Sequence, residues 1–334
     1  MKFESDVEMQ IEYSIEAVNL TKRYGDLVAV DHISFEVKKG EIFGFLGPNG
    51  AGKTTTIRML TGVTKPTSGK AVISGFDVVS EPNRAKENVG VVPDVSYLYD
   101  EMTVWSNLIF SASLFGIPKE TRETRARELL QLFGLYERRN DRVGAFSRGM
   151  QKRVMIAAAL IHEPEIFFLD EPTTGLDVQS SRQIRGLIKE LNRKGATVFL
   201  TTHYIEEADQ LCHRIAILDR GKMITVDTPE KLKTTVEAEH IIEVSFDHTE
   251  DVANELNALS HFRGVVTTGD KFRLYVEDPS ETLPLIFDLA KKNHWKVISV
   301  NTLMPSLEDA FVRLTGLHAE VMTIEKEHMK PVRG

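Results

Sequence analysis

The sequence predicts an α/β chain with a parallel-sheet core, followed by a smaller α+β domain. Three observations predict it. A strand-length apolar run, Glu41-Ile-Phe-Gly-Phe-Leu46, leads into Gly47-Pro-Asn-Gly-Ala-Gly-Lys-Thr54 and then a helical stretch, Thr54-Thr-Thr-Ile-Arg-Met-Leu60. Strand-like runs at Ile166 to Leu169, Thr197 to Leu200 and Arg214 to Leu218 are separated by helical stretches, the pattern of a parallel sheet in α/β layers. From about Glu237 the order becomes β-α-β-β-α-β, a separate small unit.

Each element has a local reason. Ile15 to Val79 alternates short β-like runs with turns. Ile33-Ser-Phe-Glu-Val37 alternates apolar and polar residues, as a half-buried strand does. Lys39-Gly40 and Thr67-Ser-Gly69 are turn signals. From about Thr103 to Phe133 the pattern is helical, and Ala126, Leu129, Leu130 and Phe133 share one buried face. The charged stretch Lys119 to Arg127 reads as a solvated helix face. In the second unit, Ile241 to Phe246 reads as a strand and Thr249 to Leu259 as a helix. Gly264 to Val276 reads as a hairpin turning at Gly269-Asp270. Thr282 to Lys292 is helical, Trp295 to Val300 a strand, and Ser306 to Leu314 a short helix. Together they suggest a small ferredoxin-like sandwich.

Composition bounds the function. The chain has 334 residues, enough for about two domains, and 42% hydrophobic content. A net charge of −8 argues against nucleic acid held on a basic surface. The acidic segment Met1 to Ser14 has no apolar core, which argues against a secretion signal. The longest aliphatic run, Val154 to Ile161, is eight residues. A membrane span needs about twenty. Cys212 is the only cysteine, so it reads as a structural thiol in a reducing compartment.

Residues 47 to 54 fit a phosphate-binding loop. Gly47, Gly50 and Gly52 let the backbone turn tightly and bring its N–H groups to phosphate oxygens. Pro48, Asn49, Ala51 and Thr55 complete the binding set. Lys53 places an ammonium near the terminal phosphates, and Thr54 offers a hydroxyl to a bridging magnesium ion. The strand Ile166-Phe-Phe-Leu-Asp-Glu171 ends in two carboxylates. Asp170 suits the metal side, acting through water, and Glu171 suits a general base on the attacking water.

Three more segments narrow the family: Phe146-Ser-Arg-Gly-Met-Gln151, Thr174-Gly-Leu-Asp177 and Thr201-Thr-His203. In this order, from about Ile15 to Leu232, the chain resembles the ATP-binding cassette (ABC) ATPases. The resemblance implies a P-loop NTPase core with an antiparallel β subdomain and a helical subdomain at about 95–160. ATP and Mg2+ follow as cofactors. Tyr24, in Lys22-Arg-Tyr-Gly25, matches the aromatic that stacks on adenine. Ser147 and Gly149 match the signature that grips the γ-phosphate held by an opposite copy, which implies a homodimer around the nucleotides. Asp177 matches the acid connecting the two sites, and His203 the switch histidine that contacts the γ-phosphate and orients water.

Two positions depart from the family pattern. Gly90-Val-Val-Pro-Asp94 carries Asp94 where Gln is usual. Asp94 keeps a metal-ligating oxygen, adds charge and loses a donor, and is expected to retain the metal-side role. The signature carries Arg148 and Met150 where Gly and Gln are usual. Arg148 either adds a cation near the phosphate or points to solvent.

The segments Thr202-His-Tyr-Ile-Glu-Glu-Ala-Asp-Gln-Leu-Cys212 and Pro305-Ser-Leu-Glu-Asp-Ala-Phe-Val-Arg-Leu-Thr-Gly316 are similar to the subfamily serving ABC-2-type export permeases. That implies a separate membrane permease, no nucleic acid, and a cytoplasmic chain bound peripherally to the membrane. Pro93 to Asn107 is the implied permease contact, with Tyr97, Tyr99 and Trp105 as either anchors or core. The division is an extension at 1–14, a cassette at 15–235, an accessory domain at 236–316 and a charged tail at 317–334. The accessory domain reads as a dimer-stabilising appendage rather than a small-molecule site. The alternative function is a soluble ABC ATPase acting on ribosomes or nucleic acid. A nucleotide kinase has no use for the signature or the histidine.

Overall fold

The computed structural model describes residues 13–234, 240–248, 251–257, 264–303 and 306–316. The charged tail and all but the last two residues of the N-terminal extension lie outside them, as do both ends of the helix read at Thr249 to Leu259. The chain divides into two compact units between Thr228 and Pro229.

In the first unit, β1 (Tyr13–Tyr24) and β2 (Leu27–Lys38) pair antiparallel. β3 (Ile42–Leu46) runs through the glycine loop into α1 (Lys53–Leu60). β4 (Ser68–Ile73) and the short β5 (Phe76–Asp77) complete an antiparallel sheet of order β2-β1-β4-β5. Thr67-Ser-Gly69 is therefore not a free turn, because Ser68 and Gly69 open β4. Gly69 has φ +84°, and a Cβ there would stand 2.2 Å from the Asn19 carbonyl oxygen. Only glycine lets the two strands approach so closely.

α2 (Pro82–Glu87) precedes β6 (Val89–Val92). The helical stretch read as continuous from Thr103 splits into α3 (Val104–Leu114) and α4 (Lys119–Leu132). Gly116, at φ +68°, and Pro118 lie between them, and proline constrains the residue before it. Ala126, Leu130 and Phe133 are buried, as their spacing predicts, whereas Leu129 is only half-buried. α5 (Arg148–Leu160) leads to β7 (Ile166–Asp170), α6 (Val178–Arg193), β8 (Thr197–Thr202), α7 (Ile205–Leu211), β9 (Arg214–Asp219) and β10 (Lys222–Asp227).

The central sheet has the order β10-β9-β3-β8-β7-β6 and is parallel except for β10. β3, β7 and β8 are buried at every position, which explains their unbroken apolar runs. Phe35, Phe43, Phe45, Phe168 and Phe199 form an aromatic cluster in the core between the two sheets, with Phe45 and Phe199 centroids 4.7 Å apart. Gly44 faces Cys212: a Cβ on Gly44 would meet the Cys212 sulfur at 2.4 Å.

The second unit contains α8 (Pro229–Thr234), β11 (His240–Phe246), α9 (Val252–Asn257), β12 (Gly264–Thr268), β13 (Lys271–Val276), α10 (Pro279–Lys292), β14 (Val297–Leu303) and α11 (Leu307–Thr315). Its sheet is antiparallel, with order β12-β13-β11-β14, the ferredoxin-like arrangement. α10 starts three residues before the predicted Thr282, because Asp278 caps it and Pro279 occupies its first turn. β14 starts at Val297 rather than Trp295, whose ring packs on Phe246 at 5.4 Å.

Candidate active site

The C-terminal ends of β3, β7 and β8 place the candidate residues together, as open α/β sheets do. The loop from Gly47 to Gly52 is held by geometry that only glycine allows. A Cβ on Gly47 would stand 2.4 Å from the Leu218 carbonyl oxygen. One on Gly52, at φ +100°, would stand 2.6 Å from the Ala29 carbonyl oxygen. Gly52 also caps α1, whose first-turn N–H groups have no partner within the helix. Thr55 and Thr56 follow in that first turn, and Ala51 is buried beneath the loop.

Lys53 is 5% exposed. Its Nζ donates to the carbonyls of Gly47 at 2.7 Å and Pro48 at 3.1 Å, and lies 3.2 Å from Glu171 Oε1. Glu171 takes the residue after β7, in a left-handed conformation at φ 48°. Such a conformation is costly without a side-chain reason, and it is held from three sides. The Glu171 N–H donates to Thr201 Oγ1 and to the Thr201 carbonyl, each at 3.1 Å. Oε2 accepts from Thr174 Oγ1 at 3.0 Å and lies 2.8 Å from His203 Nδ1. Burial raises the Glu171 carboxyl, but the His203 hydrogen bond and the Lys53 ammonium outweigh it and hold it at about 2. The Glu171 carboxylate is thus ionised, aimed, and shared by a lysine and a histidine.

Asp170 Oδ1 accepts from Thr54 Oγ1 at 3.2 Å and from Thr201 Oγ1 at 2.5 Å. This brings a hydroxyl and a carboxylate from two elements to one point. Among the described residues no cluster of three His, Cys, Asp or Glu forms an all-protein metal cage. A hydroxyl with one or two carboxylates fits Mg2+, which is usually held that way beside phosphates and water. Asp94 lies on an exposed loop after β6. Partial burial pushes its carboxyl up, Lys152 pulls it down, and Asp170 and Glu171 push it up again.

The remaining candidates stand elsewhere on the first unit. Tyr24, at the end of β1, is 47% exposed, with Lys22 Nζ 5.0 Å from its ring centre. Ser147 is the N-cap of α5 and accepts from the Met150 N–H at 3.3 Å. Asp177 is the N-cap of α6 and accepts from Ser180 N at 2.8 Å and Ser180 Oγ at 2.7 Å. Ser180 links Asp177 to the signature, since a Cβ on Gly149 would stand 2.5 Å from Ser180 Oγ. Arg148 is exposed and crosses Gly175, with Nη1 3.3 Å from where a Cβ would stand there. Tyr99 stacks edge-on against Phe110 at 5.4 Å, and Tyr97 donates its hydroxyl to the Met155 carbonyl at 3.1 Å. Tyr97 and Tyr99 are exposed and Trp105 is half-buried.

Sequence reasoning missed three buried residues around this site. Thr201 bridges Asp170 and the Glu171 backbone. Lys152, 5% exposed, donates from Nζ to the carbonyls of Pro93 at 3.3 Å and Asp94 at 3.4 Å. Glu207, 1% exposed, accepts from Thr173 Oγ1 at 2.8 Å. Thr201 stood in the Thr201-Thr-His203 segment, and its position near the end of β8, two residues before His203, was the available signal. Lys152 and Glu207 gave none, because both sit in ordinary amphipathic helix sequence.

Comparison with known proteins agrees with the fold and the motif order. Residues 30–174 match the ABC transporter family, and residues 228–315 match the C-terminal domain of DrrA1-3-like ATP-binding proteins. The linearmycin resistance ATP-binding protein LnrL of Bacillus subtilis is 37% identical over 305 residues, covering 90% of this chain and 98% of that protein. A Nod factor export ATP-binding protein of Ralstonia nicotianae is 36% identical, covering 89% of this chain and 92% of that protein. A solved ATP-binding subunit of an ABC transporter superposes with TM-score 0.61 at 30% identity, over 67% of this chain and 93% of that one. A dimeric ATP-binding cassette bound to ADP and Pi superposes with TM-score 0.59 at 28% identity, over 64% of this chain and 98% of that one. The chain belongs to the ABC transporter family, as an ATP-binding and ATP-hydrolysing subunit of the exporter type with a DrrA-like C-terminal domain.

Proposed function

We propose that this chain powers export through a separate ABC-2-type membrane permease, by closing as a homodimer over two ATP molecules and reopening after hydrolysis. The observation that carries the reading is the meeting of Lys53, Glu171 and His203 at one buried point beside the Thr54–Asp170 pair. Gly47 to Thr55 cradle the phosphates, and Lys53 exchanges its loop carbonyls for phosphate oxygens. Tyr24 offers an exposed ring to adenine. Glu171, ionised at neutral pH, takes the proton of the attacking water, and His203 holds the carboxylate in place. Thr54, Asp170 and Asp94 would hold Mg2+, which supplies charge neutralisation at the phosphates.

The homodimer reading is supported by the exposed signature end of α5. Ser147 there belongs to a helix start that faces solvent in a single copy. Such an end suits the phosphate of a second copy's nucleotide. Among the described residues no helix is long and apolar enough to cross a membrane. The spanning part is then another chain, and this one sits peripherally at the cytoplasmic face. Exposed Tyr97 and Tyr99 support a permease contact at Pro93 to Asn107. The export direction follows the relatives named for linearmycin resistance and Nod factor export.

The test is Glu171→Gln. ATP binding should persist, turnover should stop, and an ATP-bound dimer should accumulate on gel filtration. Unchanged hydrolysis would remove Glu171 from the mechanism. Recovery of a membrane permease from gentle detergent extracts tests the partner. Stimulation of turnover by RNA or DNA would instead favour a soluble role.

A further inference from the structure

Hydrolysis as described above leaves one buried acid unused. Glu207 is 1% exposed and lies in the first turn of α7, shortly after His203. Burying a carboxyl is costly unless it is hydrogen-bonded. Glu207 has such a partner: its Oε1 accepts from Thr173 Oγ1 at 2.8 Å, and Thr173 is itself buried. Thr173 belongs to the turn that follows β7 and begins at Glu171. The next hydroxyl in that turn, Thr174 Oγ1, donates to Glu171 Oε2 at 3.0 Å. The Thr174 N–H donates to the Glu171 carbonyl at 3.3 Å, which closes the turn on the same residue. Of two adjacent threonines, one therefore binds the Glu171 carboxylate and the other binds α7.

The turn after β7 and the segment after β8 thus meet at two points. His203 Nδ1 lies 2.8 Å from Glu171 Oε2, and about one helical turn later Glu207 holds Thr173. The Glu207 N–H donates to the Tyr204 carbonyl at 3.1 Å, so backbone sets the spacing between the two grips. One hydrogen bond fixes a distance and leaves orientation free; a second one beside it removes that freedom. We propose that Glu207 is a positioning residue for hydrolysis: through Thr173 it registers the turn carrying Glu171 against α7, so that His203 meets the Glu171 carboxylate in one orientation. This rests on the reading of Glu171 as the base. Glu207 takes no proton in the reaction and acts only through Thr173.

The test is a set of variants of the full-length chain, with kcat and KM for ATP measured separately. Thr173→Val removes the donor at nearly constant volume, and Glu207→Ala removes the acceptor. Each should lower kcat roughly five- to twenty-fold and leave KM within about two-fold, because the loss falls on orientation and not on nucleotide binding. Glu207→Ala/Thr173→Val should be no slower than the slower single variant, since both break one bond. Glu207→Gln keeps an acceptor and drops the charge, and Thr173→Ser keeps the donor, so both should return kcat toward wild type. Thr173→Val carries the test if Glu207→Ala does not fold. Wild-type kcat in Thr173→Val overturns the positioning role. So do single losses that multiply in the double variant, a KM that rises as far as kcat falls, or a Glu207→Gln as slow as Glu207→Ala. In each of these cases a Glu171→Gln chain without turnover leaves the base reading standing. Turnover that survives Glu171→Gln removes the base, and the role of Glu207 with it.

Discussion

Glu171 in the first unit and Glu243 in the second are both buried carboxylates held by cations, and both are pushed to the ionised side. Glu171 has the Lys53 ammonium, with His203 as a hydrogen-bond partner. Glu243 has Lys271 at 2.8 Å and Arg273 at 3.2 Å. Their surroundings differ in kind. Glu243 sits mid-strand on β11 with regular pairing on both sides, and its cations come from one neighbouring strand, β13. Glu171 sits in a left-handed residue where β7, β8 and the glycine loop converge. A perturbed carboxyl alone does not mark chemistry. Strain, converging elements and a facing phosphate cradle do.

The largest expected effect lies on the Glu171 side. Glu171→Gln should lower turnover about 10²- to 10⁴-fold, the range for a positioned general base. The Glu243→Gln counterpart should leave turnover within two-fold, by the same ATPase assay. A comparable loss in both would erase the distinction. Next come the cations. Lys53→Met should weaken nucleotide binding roughly 10- to 100-fold, from lost charge-assisted contacts. Lys271→Met should leave binding unchanged, as titration calorimetry would read.

The smallest effects concern stability. Glu243→Gln should cost about 1 kcal/mol in denaturant melts, because Lys271 is 42% exposed and water screens the pair. The Lys271 hydrogen bond is the main cause that lowers the Glu243 carboxyl; burial opposes it and Arg273 assists. A lowered carboxyl contributes stability above the ordinary carboxylate range and loses it as pH falls through the folded value. Wild type should therefore weaken below about pH 4.5, and Glu243→Gln should weaken less over the same range. Equal acid sensitivity would show that the sheet-face pair is thermodynamically silent.

Much of this was legible from local pattern. Gly47 to Thr54 and the Asp170–Glu171 strand end announce themselves because the chemistry needs those types at fixed short spacing. The second unit's strand order was legible because alternation and the Gly269 turn are local too. The break between α3 and α4 was written in Gly116 and Pro118, but the apolar spacing around them hid it. Lys152 and Glu207 were not legible. Each is a charged residue in an ordinary helix, and only tertiary packing brings it beneath the site. The exposed Arg148 guanidinium lies across Gly175, a contact that neither of its two readings contained.

The contact between Gly44 and Cys212 has a further consequence. The sulfur is pressed against the backbone of β3, with Leu200 alongside, and Cys212 is buried. Burial, together with Glu207 and Glu41, keeps it protonated. A reagent that needs the thiolate can therefore react only after β3 and the end of α7 part. With one cysteine in the chain, the kinetics of its alkylation become a clock for opening of the nucleotide-bearing strand. Because that strand carries the glycine loop, the same clock should run slower whenever nucleotide braces the loop.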